Sequence, residues 1–347
     1  MKYNKLGHSD LNVSEICLGT MTFGEQNSQE QSSELMTLAF DSGVNFFDVA
    51  EMYPIPPKPE TQGASETHIG HWLKATGHRD KLVLATKVTG RGDRNPGLDH
   101  VRNGPRVNAK HIVQACEDSL RRLQTDVIDL YQVHWPERGC NFFGQLEYTH
   151  DDDFGFSIEE TVKALSQLVD SGKVRYIGIS NETPWGTCEY LRIAREENLQ
   201  RIVSVQNPYN LLNRSLDVGL SEVCLREDVA VLAYSPLAFG TLSGKYLNGQ
   251  LPEGSRLSIS QRFGRYNKVN CEEAIGAYVA LAKDQDLDPA QMALAWVNQR
   301  LPIKSNIIGA TKVEQLRSNL ASVDVQLSTE VLAAIDEIHQ RYPNPAP

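Results

Sequence analysis

The 347-residue sequence predicts an α/β protein built as a closed (β/α)8 barrel. Three observations point there. Eight short apolar runs, at 15–19, 44–48, 81–87, 127–134, 174–180, 202–206, 229–234 and 305–309, have the length of buried strands. Stretches with apolar residues three and four apart separate them, as at 109–123 and 158–170, and this strict alternation implies a parallel sheet with right-handed crossovers. The main alternative, an open doubly wound sheet, lacks its fingerprint, because Gly90-Arg91-Gly92-Asp93-Arg94-Asn95 has no third glycine. That alternative is weakened but stays open.

Length alone allows two domains, yet a barrel with insertions reaches this size and no linker interrupts the chain, so one domain over 1–347 is expected. Area scaling gives a folded surface of roughly 14,000 Å², a quarter of the unfolded value, which leaves a large core. Apolar residues at 40% and charged residues at 22% exclude collagen-like, coiled-coil and disordered classes. With 34 Lys+Arg against 44 Asp+Glu the net charge is −10, which speaks against nucleic acid or anionic membrane as a general partner. A phosphate ligand then needs a local basic pocket. The six cysteines are scattered without C-x-x-C and read as reduced thiols, and no 18-residue apolar stretch occurs, so a cytoplasmic protein is expected. No metal is expected either, since His68 and His71 stand three apart without carboxylate partners.

Along the chain, the gaps between strand ends exceed the usual βα repeat in three places. Residues 91–107 follow the third strand, and 138–156, which mixes Phe142, Phe143 and Tyr148 with Asp151, Asp152 and Asp153, follow the fourth. The third insertion, 239–300, holds a glycine-rich turn and two extra helices, and is expected to cover a ligand. The proline-rich 54–60 and the tail 343–347 cannot be helical and read as stiff surface segments.

Barrel chemistry collects where strands end, and there the sequence places Asp48 and Tyr53, Lys87, and His134. Each alone has a structural explanation: a loop cap, a solvated tyrosine, a snorkelling lysine, a satisfied core histidine. Together they match what carbonyl reduction requires. Hydride delivery to a carbonyl leaves an alkoxide, which needs a proton donor with a pKa near the operating pH. Tyrosine, near 10, is too weak, and a lysine cation within about 4 to 6 Å lowers that value. The expected roles are Tyr53 as acid, Lys87 as its tuner, Asp48 as anchor of the lysine, and His134 as hydrogen-bond donor to the substrate oxygen. Downstream, 235–245 (SPLAFGTLSGK) offers backbone N–H groups and one cation, as a phosphate cradle needs, although it is not a P-loop. The segment after the eighth strand, with Gly309, Ala310, Thr311, Lys312, Gln315 and Asn319, opens a helix whose N-terminus suits a phosphate.

At these residues the sequence resembles the aldo-keto reductase superfamily. The resemblance runs from LGTMTFG at 18–24 through DVAEMY at 48–53, GASE at 63–66, VHWP at 133–136, RYIGISN at 175–181, QNPYN at 206–210, AYSPL at 233–237 and GTLSGKY at 240–246. It implies an N-terminal hairpin before the barrel, extra C-terminal helices, and NADP(H) bound in extended form without a dinucleotide-binding domain. In that reading Ser180, Asn181 and Gln206 hold the carboxamide, and Tyr234 stacks on the nicotinamide. Thr20, Met21, Asp48, Ser235, Pro236, Leu237, Gly240, Leu242, Gly244, Lys245, Arg256, Gly309, Ala310, Thr311, Gln315 and Asn319 complete the cofactor set. Preference for NADPH would rest on Lys245, Arg256 and Lys312. The segment from Gly309 to Gln315 departs from the Lys-Ser-then-Arg branch and is similar to the branch of the potassium-channel β subunits. A regulatory NADPH-binding module with vestigial activity is therefore the alternative to a reductase. The aromatic and acidic mix of the insertions, with Trp135 as a further wall, suggests an aromatic or uncharged small-molecule carbonyl substrate. A homo-oligomer is compatible with all of this.

Overall fold

The computed structural model describes every residue except Pro96 and Ser260, and of residues 261–263 the backbone only. The parts of the first and third insertions that fall on Pro96 and Ser260 lie outside the described residues. Two short strands, β1 (Tyr3–Lys5) and β2 (Asn12–Ser14), pair antiparallel as a hairpin. Eight parallel strands follow: β3 (Ile16–Gly19), β4 (Phe46–Asp48), β5 (Val83–Val88), β6 (Ile128–Val133), β7 (Val174–Ser180), β8 (Ile202–Pro208), β9 (Ala230–Tyr234) and β10 (Ile303–Ile308). They pair in chain order, and β10 closes the barrel between β9 and β3.

Around them run α1 (Gln29–Asp41), α2 (Ala64–Thr76), α3 (Ala109–Leu123), α4 (Ile158–Asp170), α5 (Pro184–Glu196), α6 (Leu220–Arg226), the short α7 (Arg256–Ile259), α8 (Cys271–Asp284), α9 (Pro289–Asn298), α10 (Val313–Leu320) and α11 (Thr329–Arg341). The starts follow local chemistry: Asn108, Ser157, Thr183, Asp288 and Ser328 each accept a main-chain N–H at an N-cap, and Ser28 with Gln31 forms a capping box. The expected hairpin is present, and α8 and α11 pack together as extra C-terminal helices.

Strand alternation divides the core into layers. Phe47, Leu84, Tyr131 and Val205 face outward into the shell between strands and helices. Phe46, Val83, Ala85, Leu130, Val203 and Leu232 face inward, where Leu6, Leu11 and Val13 of the hairpin segment plug the lower end of the barrel. At Gly7 (φ +51) the hairpin approaches so closely that a Cβ would stand 2.3 Å from the main-chain oxygen of Val203. The upper half of the interior is left for polar side chains.

Two expectations need correction. β4 begins at Phe46 rather than at residue 44, because Asn45 is engaged by the hairpin, accepting from Ser14 N at 2.7 Å and donating to Asn12 O at 2.9 Å. The tail 343–347 is not helical, but it is no surface segment: Ala346 is buried and donates to Leu212 O at 3.1 Å, and Asn344 accepts from Arg214 N. Segment 54–60 is likewise non-helical, and its Ile55 and Pro57 line a cleft at the upper mouth.

Candidate active site

The period of two along β4, β5 and β6 turns Asp48, Lys87, Gln132 and, one step past the strand end, His134 toward the barrel axis, above the apolar inward layer. Lys87 Nζ donates to Asp48 Oδ2 at 2.6 Å and to Val49 O at 2.8 Å, and both side chains are buried. The other carboxylate oxygen accepts from Gln206 Nε2 at 2.8 Å and Gln132 Nε2 at 3.2 Å. Four side chains thus form one connected buried network. Burial opposes the Lys87 charge, but the Asp48 carboxylate outweighs it, and the ammonium titrates above the ordinary lysine value.

Tyr53 lies over this pair, with Lys87 Nζ 5.1 Å from the ring centroid, and His134 meets the Tyr53 ring edge-on at 5.6 Å. Burial, with the Lys87 charge second, holds the His134 imidazole neutral, well below its ordinary value. Its buried Nδ1 has no hydrogen-bond partner among the described residues, which favours the tautomer carrying the N–H on Nε2. The expected depression of the Tyr53 pKa is not found. Burial raises it more than Lys87 lowers it, so the phenol titrates above 10.0 and the hydroxyl stays protonated at neutral pH.

The loop after β4 is fixed from below. Buried Glu51 accepts from Thr89 N at 2.6 Å and pairs with both terminal nitrogens of Arg102, and Gln62 Nε2 donates to Glu51 O at 2.7 Å. Arg102 comes from the first insertion. On the second insertion, Arg138 pairs with buried Glu182 next to Asn181.

A cleft of about 890 Å³ opens above these residues. It is lined by Asp48, Tyr53 and His134 and by Thr20, Met21, Ser180, Asn181, Gln206, Tyr234, Ser235, Pro236, Leu237, Gly240, Lys245, Arg256, Gly309, Ala310, Thr311, Gln315 and Asn319. Lys87 lies beneath the floor, Leu242 is buried behind the wall, and Gly244 is outside the lining. Lys312 is exposed and also outside it.

Polar groups within the cleft are partly committed to one another. Ser180 Oγ donates to Gln206 O at 2.7 Å, Asn181 Nδ2 to His134 O at 2.8 Å, and the Tyr234 hydroxyl to Asn181 Oδ1 at 2.6 Å. Asn181, Ser235, Ala238 and Phe239 all have φ between +48 and +59, so four non-glycine residues in the left-handed region cluster at this mouth. Gly240, at φ +88, sits so near Lys245 that a Cβ would stand 3.0 Å from its Nζ. A glycine backbone beside an ammonium, with the Tyr234 ring and the start of α10 along the same cleft, fits an elongated ligand carrying both a flat ring and phosphates.

Sequence reasoning missed Gln132, Arg102, Arg265 and Met52. Gln132 had a signal, since it falls between Leu130 and His134 on the inward face of β6. The second insertion supplies Phe143 and, just before it, Trp135 as walls, but its acids turn away. Asp151 and Asp153 pair with Arg94 and Arg91 of the first insertion at 2.6 Å, and none of Asp151, Asp152 and Asp153 lines the cleft. The acidic wall on which an uncharged substrate was expected is therefore absent from the lining. Among the described residues no cluster of His, Cys, Asp and Glu suits a metal, and no helix is long and apolar enough to cross a membrane.

Comparison with known proteins agrees with this architecture. The profile of the Aldo/keto reductase family matches residues 15–340. Protein tas of Escherichia coli is 49% identical across the whole of both chains. The uncharacterized oxidoreductase YrpG of Bacillus subtilis is 33% identical over 99% of this chain and 97% of its own. L-glyceraldehyde 3-phosphate reductase of Escherichia coli is 32% identical over 97% and 92%. A closed parallel barrel, polar side chains gathered at its upper mouth and a profile covering nearly the full length lead to one conclusion: the chain belongs to the aldo/keto reductase family of oxidoreductases.

Proposed function

We propose that this protein reduces an aldehyde or ketone to an alcohol with NADPH, using Tyr53 as proton donor. The observation that carries the reading is the buried Lys87–Asp48 pair held beneath Tyr53, with neutral His134 beside it at the floor of a cleft of about 890 Å³. A bound nicotinamide would supply the hydride. Tyr53 holds the proton that the developing alkoxide takes, and Lys87 favours the tyrosinate left behind. Asp48, with Gln132 and Gln206, fixes the lysine. The His134 N–H orients and polarises the carbonyl. Lys245 and the backbone around Gly240 would hold the pyrophosphate, with Arg256 beside them, and Gln206 Oε1 is the acceptor left for the carboxamide.

A relative named for L-glyceraldehyde 3-phosphate supports an aldehyde as the substrate class. Six free cysteines fit a reducing compartment such as the cytoplasm. The test is NADPH oxidation with a reactive aromatic aldehyde, run on wild type and Tyr53→Phe beside an NADPH-binding titration. General-acid catalysis contributes about 10²- to 10⁴-fold, so kcat should fall by that factor while NADPH binding is retained. Tight NADPH binding with negligible turnover in both proteins would replace the reductase by a regulatory nucleotide-binding module.

A further inference from the structure

Arg265 brings to the cleft a cation for which the described residues supply no carboxylate. It lies in the turn Gln261–Tyr266 of the third insertion and lines the cleft. Its Nη1 donates to the Tyr234 hydroxyl at 3.4 Å, and its Cζ stands 5.1 Å from the Phe143 ring centroid and 5.8 Å from that of Phe239. The Tyr234 and Tyr266 hydroxyls and two ring faces hold a guanidinium in place without neutralising it. The carboxylates lining the same cleft belong to other structures. Asp48 pairs with Lys87, Asp288 caps α9, and Glu314 sits in the first turn of α10.

Two chains of contacts tie Arg265 to the carbonyl end of the cleft, although its contact with the Phe239 ring also sets it beside the glycine-rich segment. One is hydrogen-bonded and runs from Arg265 through Tyr234 and Asn181 to the main chain of His134. The other is aromatic: Phe143 packs on Trp135 at 5.8 Å, Trp135 on His134 at 4.9 Å, and His134 on Tyr53 at 5.6 Å. Arg265 is thereby linked from the covering segment to the floor around Tyr53 and His134, with aromatic rings on its flank. The aspartates that would repel an acidic substrate are held by Arg91 and Arg94 outside the lining.

We infer that Arg265 is a specificity-determining residue of the substrate subsite, and that the preferred substrates are carbonyl compounds carrying an anionic group, carboxylate or phosphate, remote from the carbonyl. The inference rests on the reductase reading above and sharpens its substrate class. Guanidinium and carboxylate or phosphate match in geometry, and a charge-assisted pair in a half-buried site discriminates strongly against a neutral analogue.

The test uses two aldehydes of the same frame, 4-carboxybenzaldehyde and its neutral methyl ester. Wild type should prefer the acid by about tenfold or more in kcat/KM. In Arg265→Gln, KM for the acid should rise about 10- to 100-fold with little change in kcat, while values for the ester and NADPH affinity stay within about twofold. Arg265→Lys should recover part of the loss. Independently of turnover, calorimetric titration of 4-(hydroxymethyl)benzoate into the NADP-loaded protein should show the same weakening in Arg265→Gln. Equal loss on acid and ester would make Arg265 a structural element of the cover. Loss confined to NADPH affinity would assign it to the cofactor phosphates, and a wild-type preference for the ester would overturn the inference outright. If wild type binds the hydroxymethyl acid through Arg265 but reduces neither aldehyde, the reductase reading falls and the anion subsite stands.

Discussion

Breaking the buried pair beneath Tyr53 should cost more stability than any single surface change, and the cost should be recovered when both charges go. The Lys87 side chain is fully buried, that of Asp48 is 4% exposed, and they meet at 2.6 Å. Removing one partner of such a pair costs about 3 to 5 kcal/mol, because the survivor is left as an uncompensated buried charge. In Lys87→Met the carboxylate keeps the Gln132 and Gln206 amides, which places this variant near the lower figure. In Asp48→Asn the ammonium loses the carboxylate it pairs with, which places it near the upper one. The double variant buries no charge and should lie nearer wild type than the sum of the singles, with an interaction energy of about 3 kcal/mol. Urea unfolding at pH 7, followed by tryptophan fluorescence and far-ultraviolet circular dichroism, measures all four proteins. With an unfolding entropy near 2.1 cal/mol/K per residue, a loss of about 4 kcal/mol corresponds to a fall in Tm of about 5 °C. Strictly additive singles, or singles each within about 1 kcal/mol of wild type, would refute the claim that this pair is desolvated and mutually dependent.

Other expectations concern protons and the cofactor. His134 titrates well below the ordinary value of 6.5 when folded, so the unfolded chain takes up its proton first and stability falls as pH drops through about 6.5. His68, His111 and His339 add to the same slope. His134→Gln should flatten the slope by at most about 1.4 kcal/mol per pH unit between pH 5 and 6.5, and an unchanged slope in urea titrations would show that the imidazole is protonated in the fold. Lys87 has the opposite sign. Its raised value stabilises the fold below about 10.5 and that contribution is lost as pH rises further, so wild type and Lys87→Met should draw closer in stability as pH climbs beyond 10.5. For the cofactor, Lys245→Ala should weaken NADPH binding by about tenfold or more in a fluorescence titration, whereas exposed Lys312→Ala should change it less than about twofold. The reverse order would move the phosphate site to the start of α10.

The eight strands, α3 at Ala109–Leu123 and α4 at Ile158–Asp170 were legible because burial on two faces writes continuous apolar runs, and burial on one face writes a period of three and four. Asp48, Tyr53, Lys87 and His134 were legible for a related reason. Polar residues ending apolar strands have only the barrel mouth to occupy. What the local sequence could not carry was any quantity set by partners distant in the chain. The Tyr53 pKa depends on the balance of burial against Lys87, and only the assembled cleft fixes which is larger. Gln206, far along the chain from Asp48, reaches it across the interior, and the tail 343–347 docks on residues 212 and 214. Asp151, Asp152 and Asp153 read as an acidic wall until Arg91 and Arg94 took two of them and none met the cleft. Arg265 stood in an unremarkable stretch of the third insertion, and became a candidate for substrate recognition only when folding set it against Tyr234 and Phe143 with no carboxylate in reach among the described residues. The sequence alone determines which residues are buried and in what period, whereas charge compensation is a through-space property and waits on the tertiary structure.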